Sequence, residues 1–303
     1  MAIITSANAT NAIVKLVAVE ALPALMGNLV MGNLVNRSYE DTLAKEGDTV
    51  NVAIPPVLTA TAKTQGSNVT RQAVSLGNAQ VVLNTQIEAS FEIDDVTKAL
   101  ATPDLMKVYM QPAMIALAEK IETDLLAIYA QFNVNSTVGL AGTALTEAVV
   151  DSAESALFAA KVPKSSKKYL LVDAGGYSAL RQIPRFSEYR TAQEVGLNAL
   201  IQGELGRMKD LFIARSQFIA KTGSGPATTH NIAFADNAIA LVTRKLAPAP
   251  AGLGVIQFNV EMGGFGMRVT LGYDKDALGL TGTVDCLYGI KVLRAAFGQQ
   301  VES

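Results

Sequence analysis

Residues 47–93 constrain the fold more than any other stretch of the chain. Val50, Val52 and Ile54 alternate with polar residues. Further on, Val81, Leu83, Thr85, Ile87, Ala89, Phe91 and Ile93 hold one parity, while Asn84, Gln86, Glu88, Ser90 and Glu92 hold the other. A period of two sends successive side chains to opposite faces and marks a strand buried on one side. Between the two runs lies Pro55 to Gln80, rich in Thr, Gln, Asn, Ser and Gly. Structureless connections beyond about 12–15 residues are uncommon inside compact domains. The alternating runs are therefore expected to pair and form a long hairpin that projects from the body. Its tip carries little apolar material and two charges, Lys63 and Arg71. An isolated two-stranded hairpin is marginal in water, so its order is expected to come from a neighbouring subunit, with Lys63 and Arg71 as intersubunit contacts.

A long helix is expected next. Thr102 suits an N-cap, Pro103 the first helical position and Asp104 the positive helix end. Met110, Met114, Leu117, Ile121, Leu125, Ile128 and Phe132 then recur at spacings of four and three, which makes one apolar stripe. Pro112 interrupts it, and an interior proline costs about 3 kcal/mol and kinks the helix, so the straight part is expected from Pro112 to Phe132. Upstream, residues 8–35 read as helical but are broken by Pro23, Gly27 and Gly32. They carry a tandem repeat, Met26-Gly-Asn-Leu-Val30 followed by Met31-Gly-Asn-Leu-Val35. Five is the period of neither helix nor strand, and the segment reads as an N-terminal arm.

Downstream the pattern is mixed. A helix over 146–161 stops at Pro163, and Tyr169 to Val172 is a short strand. A turn at Asp173-Ala-Gly-Gly176 leads to a short helix from Tyr177 to Ile183, ended by Pro184. Residues 193–202 read as helical, Leu211 to Ala214 as extended and Ile239 to Val242 as a buried strand. Pro248 and Pro250 mark a crossing. Val255 to Leu293 reads as three strands divided by Gly263-Gly264 and Asp274-Lys275-Asp276.

Composition narrows the function. The chain is 50% hydrophobic and 17% charged, against about 25% charged in ordinary globular chains. A surface largely buried against other copies of the chain would explain that deficit. Net charge is −2, whereas proteins that grip nucleic acid through phosphates are usually basic. The single cysteine, Cys286, precludes an intrachain disulfide and is expected to be a buried strand residue. The start, Met1-Ala-Ile-Ile-Thr-Ser6, lacks the basic region of a secretory signal. The longest uncharged run, Leu125 to Thr146, holds too many polar residues to span a membrane, so a soluble protein is expected.

No catalytic or ligand-binding pattern is complete. Tyr169-Leu-Leu-Val-Asp-Ala-Gly-Gly-Tyr177 could lead a strand through glycines into a phosphate-binding helix start. It supplies only Gly175 and Gly176 of a dinucleotide fingerprint, and a plain turn is the better reading. His230 is the only histidine and lies in a Gly/Ser/Thr/Pro-rich stretch, where it reads as a solvated loop residue. Ser224 lacks the glycine of a nucleophile elbow, and one His with one Cys is an incomplete zinc site. Asp274, Asp276 and Gly279 read as a charged hairpin turn rather than a calcium loop, and Asp94-Asp95 as a solvated strand end. Lys161, Lys164, Lys167 and Lys168 read as a solvated basic loop. No cofactor, metal or catalytic residue is expected.

Several segments in order resemble a known family. Val35-Asn-Arg-Ser-Tyr39, Gly47-Asp-Thr-Val-Asn-Val-Ala-Ile-Pro-Pro56, Phe91-Glu-Ile-Asp94 and Met110-Gln-Pro-Ala-Met-Ile-Ala-Leu-Ala-Glu-Lys-Ile-Glu-Thr-Asp124 resemble podovirus-type coat proteins of tailed bacteriophages. Gly203-Glu-Leu-Gly-Arg-Met208, Leu211-Phe-Ile-Ala-Arg-Ser216 and Asn237-Ala-Ile-Ala-Leu-Val-Thr-Arg244 continue the likeness. Lys209-Asp210 depart from it, standing where the family places Gly-Phe. The resemblance implies an α+β, Hong Kong 97-like capsid fold. Its parts would be an N-terminal arm (1–46), an extended loop (47–93), a peripheral domain with a spine helix (94–134), an axial domain (135–250) and returning peripheral strands (251–303). It further implies a major capsid protein of the virion, assembled in the host cytoplasm, that forms hexamers and pentamers around double-stranded DNA with scaffolding, portal and decoration proteins as partners. Two alternatives share or contest that reading: a nanocompartment shell holding enzyme cargo, and a nucleotide-binding enzyme using the Gly175-Gly176 turn.

Overall fold

The computed structural model describes residues 29–39, 49–54, 58–66, 68–69, 71–73, 77–95, 105–132, 137–183, 206–223, 227–244, 246–247, 255–262 and 265–303. Residues 8–28 of the interrupted helical stretch expected over 8–35, the helix expected over 193–202, the Thr102-Pro103-Asp104 cap, the Pro248/Pro250 crossing and the Gly263-Gly264 turn lie outside these residues.

The early alternation divides between two sheets. Strand β1 (Thr49–Ile54) pairs antiparallel with β2 (Gly77–Val82), Thr49 opposite Val82 and Ile54 opposite Gly77. The expected pairing therefore forms, but over the first residues of the second run only. Leu83 and Asn84 leave the ladder, and β3 (Thr85–Asp94) pairs instead with a C-terminal strand, β13 (Gly279–Val292). The break sits where the chain crosses β13 at Gly289. A Cβ there would lie 2.3 Å from the Val82 carbonyl oxygen, so only glycine lets the two backbones approach.

Helix α1 (Leu105–Leu126) passes through Pro112 and tightens into a 3-10 stretch over Ala127–Phe132. Pro112 removes the intrahelical partner of the Val108 carbonyl, and both residues are exposed, so water can take its place. The lost hydrogen bond thus costs little, and the helix runs on both sides of Pro112. The apolar stripe behaves as its spacing predicts. Met110, Met114, Leu117, Ile121, Leu125, Ile128 and Phe132 are all buried.

That stripe packs between two sheets. In the first, β13 pairs with β12 (Phe265–Asp274) over Gly279–Asp285, with β10 (Ile239–Arg244) over Leu287–Val292 and with β3 over Gly279–Tyr288, while β11 (Ile256–Met262) edges β12. The Asp274-Lys275-Asp276 turn joins β12 to β13 as expected. Asp274 Oδ1 accepts the Asp276 N–H at 2.8 Å, which is turn chemistry.

The second sheet runs β4 (Val138–Gly139), β14 (Gly298–Glu302), β9 (Thr228–Ala235), β5 (Lys168–Val172), β7 (Leu211–Arg215) and β6 (Arg207–Met208), with β8 (Lys221–Thr222) added on β9. Helix α2 (Glu147–Ala159) packs on its β14 and β9 region, and helix α3 (Ala174–Arg181) follows β5. Gly298 fixes how closely β14 meets the end of α1, because a Cβ there would stand 2.2 Å from the Phe132 ring.

One sequence-level expectation is corrected at the N-terminal side. Residues 29–36 belong to the core and not to a free arm. Leu29, Met31 and Val35 are buried, a 3-10 turn spans Met31–Asn33, and Asn36 forms a parallel bridge to Ala240.

Candidate functional site

The hairpin has a rooted base and a bare tip. Val50, Val52, Val81 and Leu83 pack with Ala240 and Val242 of β10 in a small core of their own. Burying such side chains stabilises by about 1.5–3 kcal/mol each, so the base is anchored on the body. Beyond Ile54 the arms stay near one another through a side chain. Gln72 accepts from the Thr59 N–H at 3.0 Å and donates to the Thr59 carbonyl, which reproduces one rung of a backbone ladder. Lys63 and Arg71 stand exposed on this tip, with Leu58 and Val69 exposed beside them at 64% and 69%. Among the described residues neither cation has an ion-pair partner.

A buried carboxylate went unsuspected in the sequence. Glu122 sits on α1 within the apolar stripe and is fully buried. Both its oxygens accept the Met31 N–H at 2.9 Å; Oε2 also takes the Gly32 N–H at 3.4 Å and Oε1 the Ser216 hydroxyl at 3.2 Å. Burial raises its pKa, opposed by these hydrogen bonds and by one from the Val30 backbone. Glu122 thus joins three distant segments: the Met31 turn, the helix and the end of β7.

The Asp173-Ala-Gly-Gly176 segment is the first turn of α3 with Asp173 as N-cap, rather than a turn that precedes the helix. Asp173 Oδ1 accepts the Gly176 N–H at 2.7 Å, and Lys221 pairs with Oδ2 at 2.9 Å. Burial works against ionisation, but Lys221 and the Gly176 and Gly175 N–H groups outweigh it and lower this carboxyl's pKa. The helix N-terminus that a phosphate would need is already filled by the chain's own anion.

His230 is not a solvated loop residue. It lies on β9, 7% exposed, and stacks on Tyr129 with ring centroids 4.2 Å apart. Thr222 Oγ1 lies 2.7 Å from Nε2, and Gln300 Nε2 lies 2.7 Å from Nδ1. Burial lowers its pKa, while Glu302 pulls the other way. These contacts tie the 3-10 stretch after α1 to β8, β9 and β14. Lys168 of the basic cluster is also buried, paired to Asp210 at 2.6 Å. Lys209-Asp210 form the β6–β7 turn: Lys209 takes φ 56° and pairs with Asp151 and Glu147 of α2, while Asp210 pairs with Lys168 and Arg207. A glycine would adopt this backbone without strain; here the ion pairs offset the strain. Cys286 is buried on β13 as expected, its thiol 3.5 Å from the Gly266 carbonyl. Asp94 ends β3, and Asp95 accepts the Tyr273 hydroxyl at 2.6 Å.

Among the described residues no three His, Cys, Asp or Glu side chains converge as a metal would require, and no helix is long and apolar enough to cross a membrane. The polar clusters described above join segments of the fold, and the hairpin tip is one feature presented outward.

No known family model matches the chain, and no curated protein matches it in sequence. Solved structures do match it. A chain of Mycobacterium phage Che8 superposes with a TM-score of 0.68 at 21% identity, covering 90% of each chain. A chain from the capsid of the cyanophage P-SCSP1u gives 0.61 at 18%, covering 90% of this chain and 87% of that one. A virus-like particle chain from Pyrococcus furiosus gives a lower 0.52 at 13%, covering 95% and 98%. Two sheets around a long helix, with a hairpin rooted on one of them, are thus the α+β fold that this chain shares with phage capsid proteins.

Proposed function

We propose that the chain is the major capsid protein of a tailed phage, a non-enzymatic subunit that closes into hexamers and pentamers around double-stranded DNA. The observation that carries this reading is the capsid fold over nine-tenths of the chain, joined to a hairpin whose base is anchored and whose tip is exposed. In this reading residues 47–93 are the extended loop, α1 is the spine of the peripheral domain, residues 135–250 form the axial domain and residues 251–303 return to the periphery. Scaffolding, portal and decoration proteins are the expected partners, the host cytoplasm the place of assembly and the virion the destination. Lys63 and Arg71 reach carboxylates on a neighbouring subunit. Each exposed pair is worth about 0–1 kcal/mol, so the effect comes from repetition around the shell.

Deleting Lys63 to Arg71 should leave a folded, soluble subunit that fails to close stable shells in negative-stain microscopy. Unfolding of the isolated subunit, or shells of unchanged heat stability, would refute the contact. Sedimentation that finds only monomer under all salt and scaffold conditions would refute the shell itself. Density for enzyme cargo in place of a genome would favour a nanocompartment. The Pyrococcus particle is the fold-level support for that second reading, and it is the weaker likeness.

A further inference from the structure

The tandem repeat has no role in the fold described so far, yet its second copy occupies a built seat. Met31 is fully buried, and its N–H and that of Gly32 bind Glu122. Asn33 Nδ2 donates to the Leu29 carbonyl at 2.5 Å, and Val35 is buried. Five residues upstream stands an identical Met-Gly-Asn-Leu-Val. We propose that the Glu122 seat binds either copy, so that the N-terminal segment has two registers five residues apart.

Most contacts of the seat are offered twice. Met26 replaces Met31, Gly27 replaces Gly32, Asn28 replaces Asn33, and Leu29-Val30 replace Leu34-Val35. The bonds to Glu122 come from backbone N–H groups, and the Asn33 contact reaches a backbone carbonyl four residues back, so both transfer unchanged. The same is true of Asn36, whose N–H bonds Ile239 and whose carbonyl accepts from Leu241. Residue 31 offers the same two groups in the second register. Three contacts do not transfer. Met31 takes the place of Asn36, whose Oδ1 accepts the backbone N–H two residues on. Ala24 takes the buried place of Leu29, and Gly32 takes the place of Arg37, whose guanidinium lies 3.7 Å over the Phe265 ring. The described register is therefore the major one, and the other is a minor state that a neighbour's contacts can select. A slip moves five residues into the connection leading to β1, roughly 17 Å of extended chain. This use in a shell rests on the capsid reading; the two registers do not.

The test uses the full-length unassembled subunit. Met31→Asp buries a second carboxylate in the residue that binds Glu122 in the first register. In the second it places that carboxylate where Asn36 stands, a half-buried site whose Oδ1 already accepts the Ser38 N–H. Met26→Asp should cost more in the Met31→Asp background than in wild type. Met31→Asp should melt at least about 5 °C above the Met26→Asp/Met31→Asp double variant. Adding Ala24→Leu, which restores the leucine lost on slipping, should stabilise Met31→Asp more than it stabilises wild type. A thiol at position 26 (Met26→Cys) should label more slowly with Met31→Asp than without it, with buried Cys286 silent throughout. Equal melting of the Met31→Asp and double variants, with no rescue by Ala24→Leu, overturns the proposal whether or not shells form.

Discussion

Truncating Glu122 separates the two things its carboxylate does. Glu122→Ala removes the acceptor of the Met31 and Gly32 N–H groups and of the Ser216 hydroxyl, all in the interior. An orphaned buried donor costs about 1–3 kcal/mol, so the two N–H groups together account for about 4 kcal/mol. The cavity left by the lost side-chain atoms adds about 1 kcal/mol. For a chain of this size about 5 kcal/mol lowers the melting temperature by roughly 10 °C. Glu122→Gln behaves differently. Its amide oxygen can face the two N–H groups while its NH2 faces Ser216, whose hydroxyl can accept as well as donate. It also relieves the burial of a charge. The glutamine variant should therefore stay within about 1 kcal/mol of wild type at neutral pH. The pH dependence has a definite sign. The folded pKa is raised above the unfolded one, so the native state takes up the proton first as pH falls. Ionised Glu122 costs stability above its folded pKa, and that cost is relieved as pH falls toward its usual value of 4.5. Glu122→Gln should erase this contribution. Thermal melts of the unassembled subunit, followed by far-ultraviolet circular dichroism at several pH values, measure both effects. If alanine costs under about 1 kcal/mol, or glutamine costs as much as alanine, the hydrogen-bond account is wrong.

Three further outcomes are expected. His230 has a lowered folded pKa, so the unfolded chain takes the proton first and stability is lost as pH falls through 6.5; His230→Gln should flatten the melting profile between about pH 5 and 7, and an unchanged slope would count against the buried neutral imidazole. Gly298→Ala should destabilise the subunit by about 2 kcal/mol or more, since a methyl group cannot fit beside the Phe132 ring without moving β14; a wild-type melt would show that the ring gives way. Cys286 should resist a thiol reagent in the native protein and react only on unfolding, because it is 1% exposed; rapid native labelling would contradict its burial.

What the sequence made legible was whatever a single element states about itself. The α1 stripe from Met110 to Phe132 was readable because one face of one helix meets the core throughout. The hairpin turn at Asp274 was readable from local turn chemistry. The failures share a different cause. Strand β9 is buried on both faces from Thr229 to Ala235, so it has no alternation to betray it, and His230 inside it looked like loop. Strand β14, Gly298-Gln-Gln-Val-Glu302, is polar in composition and central in position. Its glutamines are buried by what lies around them and not by their own character.

The division of residues 49–94 shows the same limit more sharply. Parity runs unbroken from Val81 to Ile93, because alternation reports which way a side chain faces and is silent on which strand lies alongside. The change of partner at Leu83-Asn84 is dictated some two hundred residues later, by a glycine. Gly289 stands inside a strand between Tyr288 and Ile290, where a glycine ordinarily weakens the ladder and so marks a close backbone approach. Glu122 carries a comparable signal. A carboxylate four residues after Ala118 and four before Leu126, on the buried face of an apolar helix, has to be answered by donors from elsewhere. Neither residue reveals its partner from sequence, but each announces that one exists. In this chain the partners lie at the hairpin's root and the N-terminal repeat.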